Sequence, residues 1–296
     1  MSEEDRRRTV GARLAAATRA LSATSDSPRL DAEILLAHVL GTERLTLILH
    51  HQSLLEPEAD ASFERLVGRR TGGEPVAYLT GRRHFRALEL DVDRRVLIPR
   101  PETEELVELA VTLLPQGARV LDVGTGSGAI ALALAAERPD LVVEGVDVSP
   151  DALAVAERNR TKLNLDVSLR IGDLLEGASP VDAVLANLPY VEEGAELPVD
   201  VAGFEPALAL WGGDDGLALI RRLAAQLAAR DWPAWALLEI GEAQGPPAAG
   251  LLRGAGFAEV EVRADLSGRD RIVLARRADR SPRALRHEAR RQEVRA

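Results

Sequence analysis

The segment Leu121-Asp122-Val123-Gly124-Thr125-Gly126-Ser127-Gly128 joins a short apolar run, Val120 to Val123, to a helical pattern over Ala129 to Glu137. Glycines at alternate positions let the backbone turn sharply and present its N–H groups to a ligand at a helix N-terminus. The next apolar run, Leu141 to Val146, ends on Asp147, 19 residues after Gly128. A carboxylate there can accept both hydroxyls of a ribose, so the unit predicts an adenosine-binding parallel sheet. Taken alone it leaves the cofactor open. Gly124, Gly126 and Ala129 also satisfy the dinucleotide pattern, and a nicotinamide enzyme fits that pattern too.

Two features favour S-adenosylmethionine. Asp122 precedes the glycines, giving Asp-x-Gly-x-Gly-x-Gly, and Asn187-Leu188-Pro189-Tyr190 follows a fourth apolar run, Val181 to Ala186, 40 residues beyond Asp147. The lone pair of an amide or aniline-like nitrogen is conjugated, which makes it a poor nucleophile. Accepting its N–H groups on the Asn187 side-chain carbonyl and the Leu188 main-chain carbonyl orients that lone pair, while Tyr190 stacks on the planar group. The catalytic candidates are therefore Asn187, Leu188, Pro189 and Tyr190, acting by proximity and a fitted polar environment. Asp173, after a third run at Val167 to Ile171, supplies an acid for the adenine amino group.

The surrounding rhythm agrees. Helical patterns at Pro150 to Leu163, Asp215 to Arg230 and Pro247 to Leu252 alternate with strands, including Ala234 to Ile240. This predicts an α/β, Rossmann-like, doubly wound and mostly parallel sheet. Ala258 to Arg263 and Arg271 to Ala275 have no helix between them, which places one antiparallel strand in that sheet. Upstream, Leu30, Ile34, Leu35 and Val39 follow Ser27-Pro28 at helical spacing and stop at Gly41. Further helices are read at Glu43 to His50 and Glu58 to Arg70, divided by Pro57. His84 to Leu90 and Val92 to Ile98 read as a hairpin, and Pro99-Arg100-Pro101 opens a helix to about Leu114. The expected division is a helical substrate-docking domain at 1–80, a hairpin linker at 81–98, the catalytic domain at 99–277 and an Arg-rich tail at 278–296.

Composition excludes several classes. With no cysteine there is no disulfide, thiolate nucleophile or Cys-ligated zinc. His38, His50, His51 and His84 have no metal-ligand spacing, so no metal is expected. Aromatics are 3% of residues, which leaves Ala, Leu and Val to build the core. No apolar run is long enough to span a membrane, and the acidic start lacks the apolar stretch of a signal peptide, so a cytoplasmic protein is expected. A net charge of −10 argues against binding driven by nucleic-acid phosphates. The basic end, eight Arg against three acids from Arg276 to Ala296, is read as solvated, with RNA contact as the alternative.

From roughly Leu30 to Arg276 the chain resembles the HemK/PrmC family of protein-(glutamine-N5) methyltransferases acting on peptide chain release factors. The resemblance is carried by Gly73-Glu74-Pro75-Val76-Ala77-Tyr78-Leu79-Thr80-Gly81, Leu97-Ile98-Pro99-Arg100-Pro101-Glu102-Thr103-Glu104 and the glycine loop. It continues through Phe204-Glu205-Pro206-Ala207-Leu208, Gly212-Gly213-Asp214-Asp215-Gly216-Leu217, Glu239-Ile240-Gly241 and Gly268-Arg269-Asp270-Arg271. It implies S-adenosylmethionine bound by Asp122, Gly124, Thr125, Gly126, Ser127, Gly128 and Asp147, with Leu174 near the adenine. It also implies that Asn187 meets both cofactor and substrate, and that the substrate is the glutamine of a Gly-Gly-Gln loop. The family reads Asn-Pro-Pro-Tyr, so Leu188 departs from it. The acceptor carbonyl survives, but the fixed torsion of proline does not, and the loop is expected to be less preorganised. Asn-Leu-Pro-Tyr also resembles the form in ribosomal RNA adenine dimethyltransferases. A ribosomal-protein glutamine as substrate, and a cofactor-binding protein without turnover, are further alternatives.

Overall fold

Ser27 and Pro28 open a helix as predicted, because a proline in the first turn forfeits no intrahelical bond, and Gly41 closes it at a left-handed φ of 60°. In the computed structural model, which describes residues 3–265 and 267–278, this helix is α3 (Pro28–Leu40). It packs with α1 (Glu3–Arg7), α2 (Val10–Leu21), α4 (Arg44–Leu49), α5 (Pro57–Thr71) and α6 (Val76–Thr80) in a helical unit ending at Arg82. α4 and α5 are separate helices as expected, with Pro57 at the first position of α5. Leu14, Leu21, Leu35, Leu36 and Phe63 fill the core. Buried Arg70 donates to Asp31 at 2.8 Å, and Arg69 forks onto buried Glu74 at 2.7 and 2.8 Å.

Residues 197–205 also belong to this unit, an addition that the chain-order division did not anticipate. Val199 and Phe204 lie against Gly73, where a Cβ would stand 3.1 Å from Val199. Asp200 reaches within 3.8 Å of Arg70.

The second unit starts at Arg83 and so takes in most of the hairpin. Its strands are β1 (Arg82–Phe85) and β2 (Leu88–Asp91), turned by Arg86 in the left-handed region at φ 50°. The second predicted strand, Val92 to Ile98, is not one. Val92, Val96 and Ile98 are buried, but they descend from an irregular loop, which mimics alternation without pairing. Then come α7 (Thr103–Leu113), β3 (Arg119–Val123), α8 (Ala129–Glu137), β4 (Val142–Asp147), α9 (Pro150–Leu163), β5 (Val167–Ile171) and β6 (Ala183–Asn187). After α10 (Val199–Ala202), which lies in the helical unit, follow α11 (Ala218–Ala228), β7 (Trp235–Glu239), α12 (Gly245–Gly254), β8 (Glu259–Ala264) and β9 (Asp270–Arg276).

Seven strands form one sheet in the order β5-β4-β3-β6-β7-β9-β8. Only β9 runs against its neighbours, as the missing crossover helix before it requires. Successive residues of each central strand face opposite cores. Leu121, Val184 and Leu238 pack beneath α11 and α12, whereas Val120, Leu185 and Leu237 pack with α7 and α8. Helices on both faces explain the near-continuous apolar strands. No described helix is long and apolar enough to cross a membrane. Of the Arg-rich tail, residues 279–296 lie outside the described residues.

Candidate active site

β3 leads through α8 to β4 on one side, while β6 flanks β3 on the other. At this reversal the carboxyl ends of the strands open a crevice, the usual ligand position in such sheets. A cavity of about 300 Å³ lies there.

Gly124, Gly126 and Gly128 take φ of 74°, 56° and 83°, the left-handed region where a side chain is strained. The Gly124 and Thr125 N–H groups donate to the Val146 carbonyl at 2.8 and 3.0 Å, tying the turn to β4. Asp147 lines the cavity, its carboxylate oxygens accepting from Gly126 N and Ser149 N, each at 2.9 Å. Each oxygen keeps one further acceptor position, which matches the two hydroxyls of a ribose. Thr125 and Ser127 line the same cavity.

Two residues expected to touch the cofactor do not line the cavity. Asp122 is fully buried beneath the turn, where its Oδ2 accepts from Thr125 Oγ1 at 2.6 Å and Ala131 N at 3.3 Å. Burial pushes its carboxyl up to about 7, opposed by those two bonds. Gly128 faces inward, and a Cβ there would stand 2.9 Å from Leu132 and 3.4 Å from Ala156. Its role is the close approach of α8 to α9. Sequence reasoning missed Asn159, fully buried on α9, which donates to Ser127 O at 2.9 Å and Asp91 O at 3.0 Å and accepts from Asp91 N at 2.7 Å. Its signal was a single amide continuing the buried stripe of Ala152, Val155 and Ala156. Just after β5, Leu174 is buried with a left-handed φ of 54°, and Asp173 pairs with Arg222 at 2.5 Å. Both line the cavity.

The Asn187 to Tyr190 loop leaves the end of β6. Asn187, Leu188 and Pro189 line the cavity, and Asn187 Nδ2 donates to Thr103 Oγ1 at 3.0 Å. Leu188 is buried, and its Cδ2 lies 3.1 Å from where a Cβ on Gly124 would stand. Packing over Gly124 holds this position where the family uses a proline ring. A Cβ on Gly212 would stand 2.6 Å from Pro189 O, and one on Gly216 would overlap Tyr190 O. Gln244, another residue the sequence did not flag, donates to Tyr190 O at 3.0 Å and Asp215 O at 3.3 Å, and accepts from Gly241 N at 2.9 Å. Tyr190 itself is not in the cavity wall. Its ring lies beside Gly241, and burial, with the Glu239 charge, pushes its phenol up to about 12. Arg100 and Thr103, from the Pro-rich segment ahead of the glycine loop, also line the wall.

These residues fit S-adenosylmethionine: a turn with glycine at alternate positions, a carboxylate with two spare acceptor positions, and apolar Leu174 and Ile130 in the wall. Fold and crevice together define an S-adenosylmethionine-dependent methyltransferase. The Methyltransferase small domain family matches residues 102–203, and the PrmC N-terminal domain family matches residues 13–81. The chain is 43% identical over 275 residues to the release factor glutamine methyltransferase of Cereibacter sphaeroides, covering 91% of this chain and 98% of that one. Against the enzyme of the same name from Bordetella pertussis it is 44% identical over 253 residues, covering 83% and 93%. The chain belongs to the release factor glutamine methyltransferase family. Among solved structures, the hMettl16 catalytic domain in complex with the MAT2A 3'UTR hairpin 6 is 19% identical, with a TM-score of 0.51 over 64% of this chain and 74% of that one. That likeness shows the shared fold.

Proposed function

We propose that this enzyme methylates the side-chain amide of the glutamine in the Gly-Gly-Gln motif of peptide chain release factors. The observation that carries the reading is the placement of Asn187. Its Nδ2 is engaged by Thr103, which leaves Oδ1 to accept from a substrate, and Asn187 and Leu188 both line the cavity. Two carbonyls so placed accept the two N–H groups of a primary amide and turn its lone pair toward the methyl donor. S-adenosylmethionine supplies an activated methyl on a sulfonium, so the protein needs to provide orientation and a polar environment more than a strong base. Asp147 would hold the ribose, Asp173 and Leu174 would meet the adenine, and the backbone from Gly124 to Ser127 would contact the rest of the cofactor. The helical unit docks the release factor.

The reading is tested with cofactor labelled in its methyl group and two intact release factors, one natural and one with the motif glutamine changed to alanine. Label on the first alone is expected. Equal label on both, or label on ribosomal RNA or a ribosomal protein instead, contradicts it.

A further inference from the structure

Asn187 and Glu239 are register partners at the ends of the parallel strands β6 and β7. Glu239 is 1% exposed, and neither carboxylate oxygen has a hydrogen-bond partner of ordinary geometry among the described residues. A buried, unpaired carboxylate is unfavourable unless the surroundings use it. Facing it are the Thr103 hydroxyl at the start of α7, Arg100 and Glu102 just before that helix, Arg271 on β9 and Tyr190 from the loop after β6. Burial pushes its carboxyl up to about 7, with Thr103, Arg271 and Arg100 pulling it down and Glu102 adding to the rise.

Thr103 bears on both partners. It is buried and accepts from Asn187 Nδ2 at 3.0 Å, and it is also the hydroxyl that favours the ionised form of Glu239. A hydroxyl has one proton and two lone pairs, and a primary amide offers a donor and an acceptor. Left to themselves, Thr103 and Asn187 can pair in either sense. An ionised carboxylate has no proton to give, so its presence decides the sense.

Building on the reading that Asn187 holds the substrate amide, we infer that Thr103 and Glu239 are a positioning pair that fixes Asn187 with Oδ1 turned toward the substrate. Ionised Glu239 draws the Thr103 proton toward itself. Thr103 Oγ1 then only accepts, and it accepts from Nδ2. Protonated Glu239 can donate to Thr103, which frees the hydroxyl proton to seek Oδ1 and loosens the amide.

The test compares the full-length wild type with Thr103→Ser, Thr103→Val and Glu239→Gln, using an intact release factor from about pH 6 to 9. Cofactor affinity and thermal unfolding are measured on each. Thr103→Val keeps the shape and loses the hydroxyl. It is expected to lower kcat by about tenfold or more, with cofactor affinity within about twofold, whereas Thr103→Ser restores turnover. Wild-type kcat is expected to rise with pH as Glu239 ionises, with a midpoint near 7. Glu239→Gln can both donate and accept, so it removes that rise. A Thr103→Val enzyme as fast as wild type, or a Glu239→Gln enzyme that keeps the rise, overturns the pair. Failure of the substrate reading is distinct, because the wild type itself then leaves the motif glutamine unlabelled.

Discussion

The glycine turn and the amide-binding loop face one cavity but are held by different kinds of contact. The turn is secured from close by in the chain. Thr125 bonds Asp122 three residues away, Ala131 reaches it from nine, and Gly126 meets Asp147 across 21. The amide loop depends on distant segments. Asn187 is held by Thr103 across 84 residues, and the Tyr190 carbonyl by Gln244 across 54. Gly212 and Gly216 press their backbone against the Pro189 and Tyr190 carbonyls. A cofactor turn can therefore be specified largely within one continuous stretch, β3 to α9, whereas a site for an amide nitrogen needs the assembled sheet to place its carbonyls.

Mutations sharpen the contrast, and the largest effect falls on the amide loop. Asn187→Ala is expected to lower methyl transfer by about 10²–10³-fold, the scale for removing one preorganised polar group. Its cofactor affinity changes far less, and equal losses of both in single-turnover and binding measurements make Asn187 chiefly a cofactor residue. Gly212→Ala places a Cβ 2.6 Å from both Pro189 O and Gly216 O. Overpacking of this kind costs about 1–3 kcal/mol, so turnover and melting temperature should fall together with the cofactor affinity spared. A Gly212→Ala enzyme with wild-type kcat breaks the claim that this segment shapes the loop.

On the glycine side the readout is binding. Asp147→Ala should weaken cofactor affinity by about 1–3 kcal/mol, as expected for lost hydrogen bonds to a charged group, and calorimetry showing no change places the ribose elsewhere. Asn159→Ala leaves the Ser127 carbonyl and Asp91 backbone without their buried partner. It should destabilise the fold by about 1–2 kcal/mol in urea, with a smaller loss of cofactor affinity. The smallest effect is on pH dependence. Asp122 has its folded pKa raised to about 7, so the folded state holds more protons than the unfolded chain between that value and the ordinary carboxylate range. Stability contributed by this group is present at low pH and lost as pH rises through about 7. Asp122→Asn should make the fall in unfolding free energy from about pH 5 to 7.5 shallower. An unchanged slope means Asp122 titrates normally.

What the sequence reveals follows the same divide. Ala129–Glu137, Pro150–Leu163 and Val167–Ile171 carry periods and caps of their own, and the helices and strand keep those bounds. Val181 and Asp182 read as strand because Val181 is buried, yet Asp182 serves as an acceptor for the Arg119 N–H, and β6 begins after it. The false strand at Val92 to Ile98 arises from burial without pairing. Within the site, the glycines and Asp147 are visible because their roles are local. Thr103, Asn159, Gln244 and Glu239 are not, since each matters through a partner that only folding brings near. The return of 197–205 to the helical unit is likewise invisible, because no local pattern announces that Val199 will cover Gly73.

Leu188 links the two loops. Without the proline ring the amide loop is expected to be less preorganised, and the leucine is buried with its Cδ2 over Gly124, so the two loops pack on one another.

The central claim is that the methyl goes to a planar side-chain amide held by Asn187 and Leu188. Fragment mass mapping of a release factor after incubation with enzyme and cofactor tests it most directly. A gain of one methyl, confined to the side chain of the Gly-Gly-Gln glutamine, is the predicted result. A methyl on any other residue, or none on a factor that remains intact and bound, contradicts it.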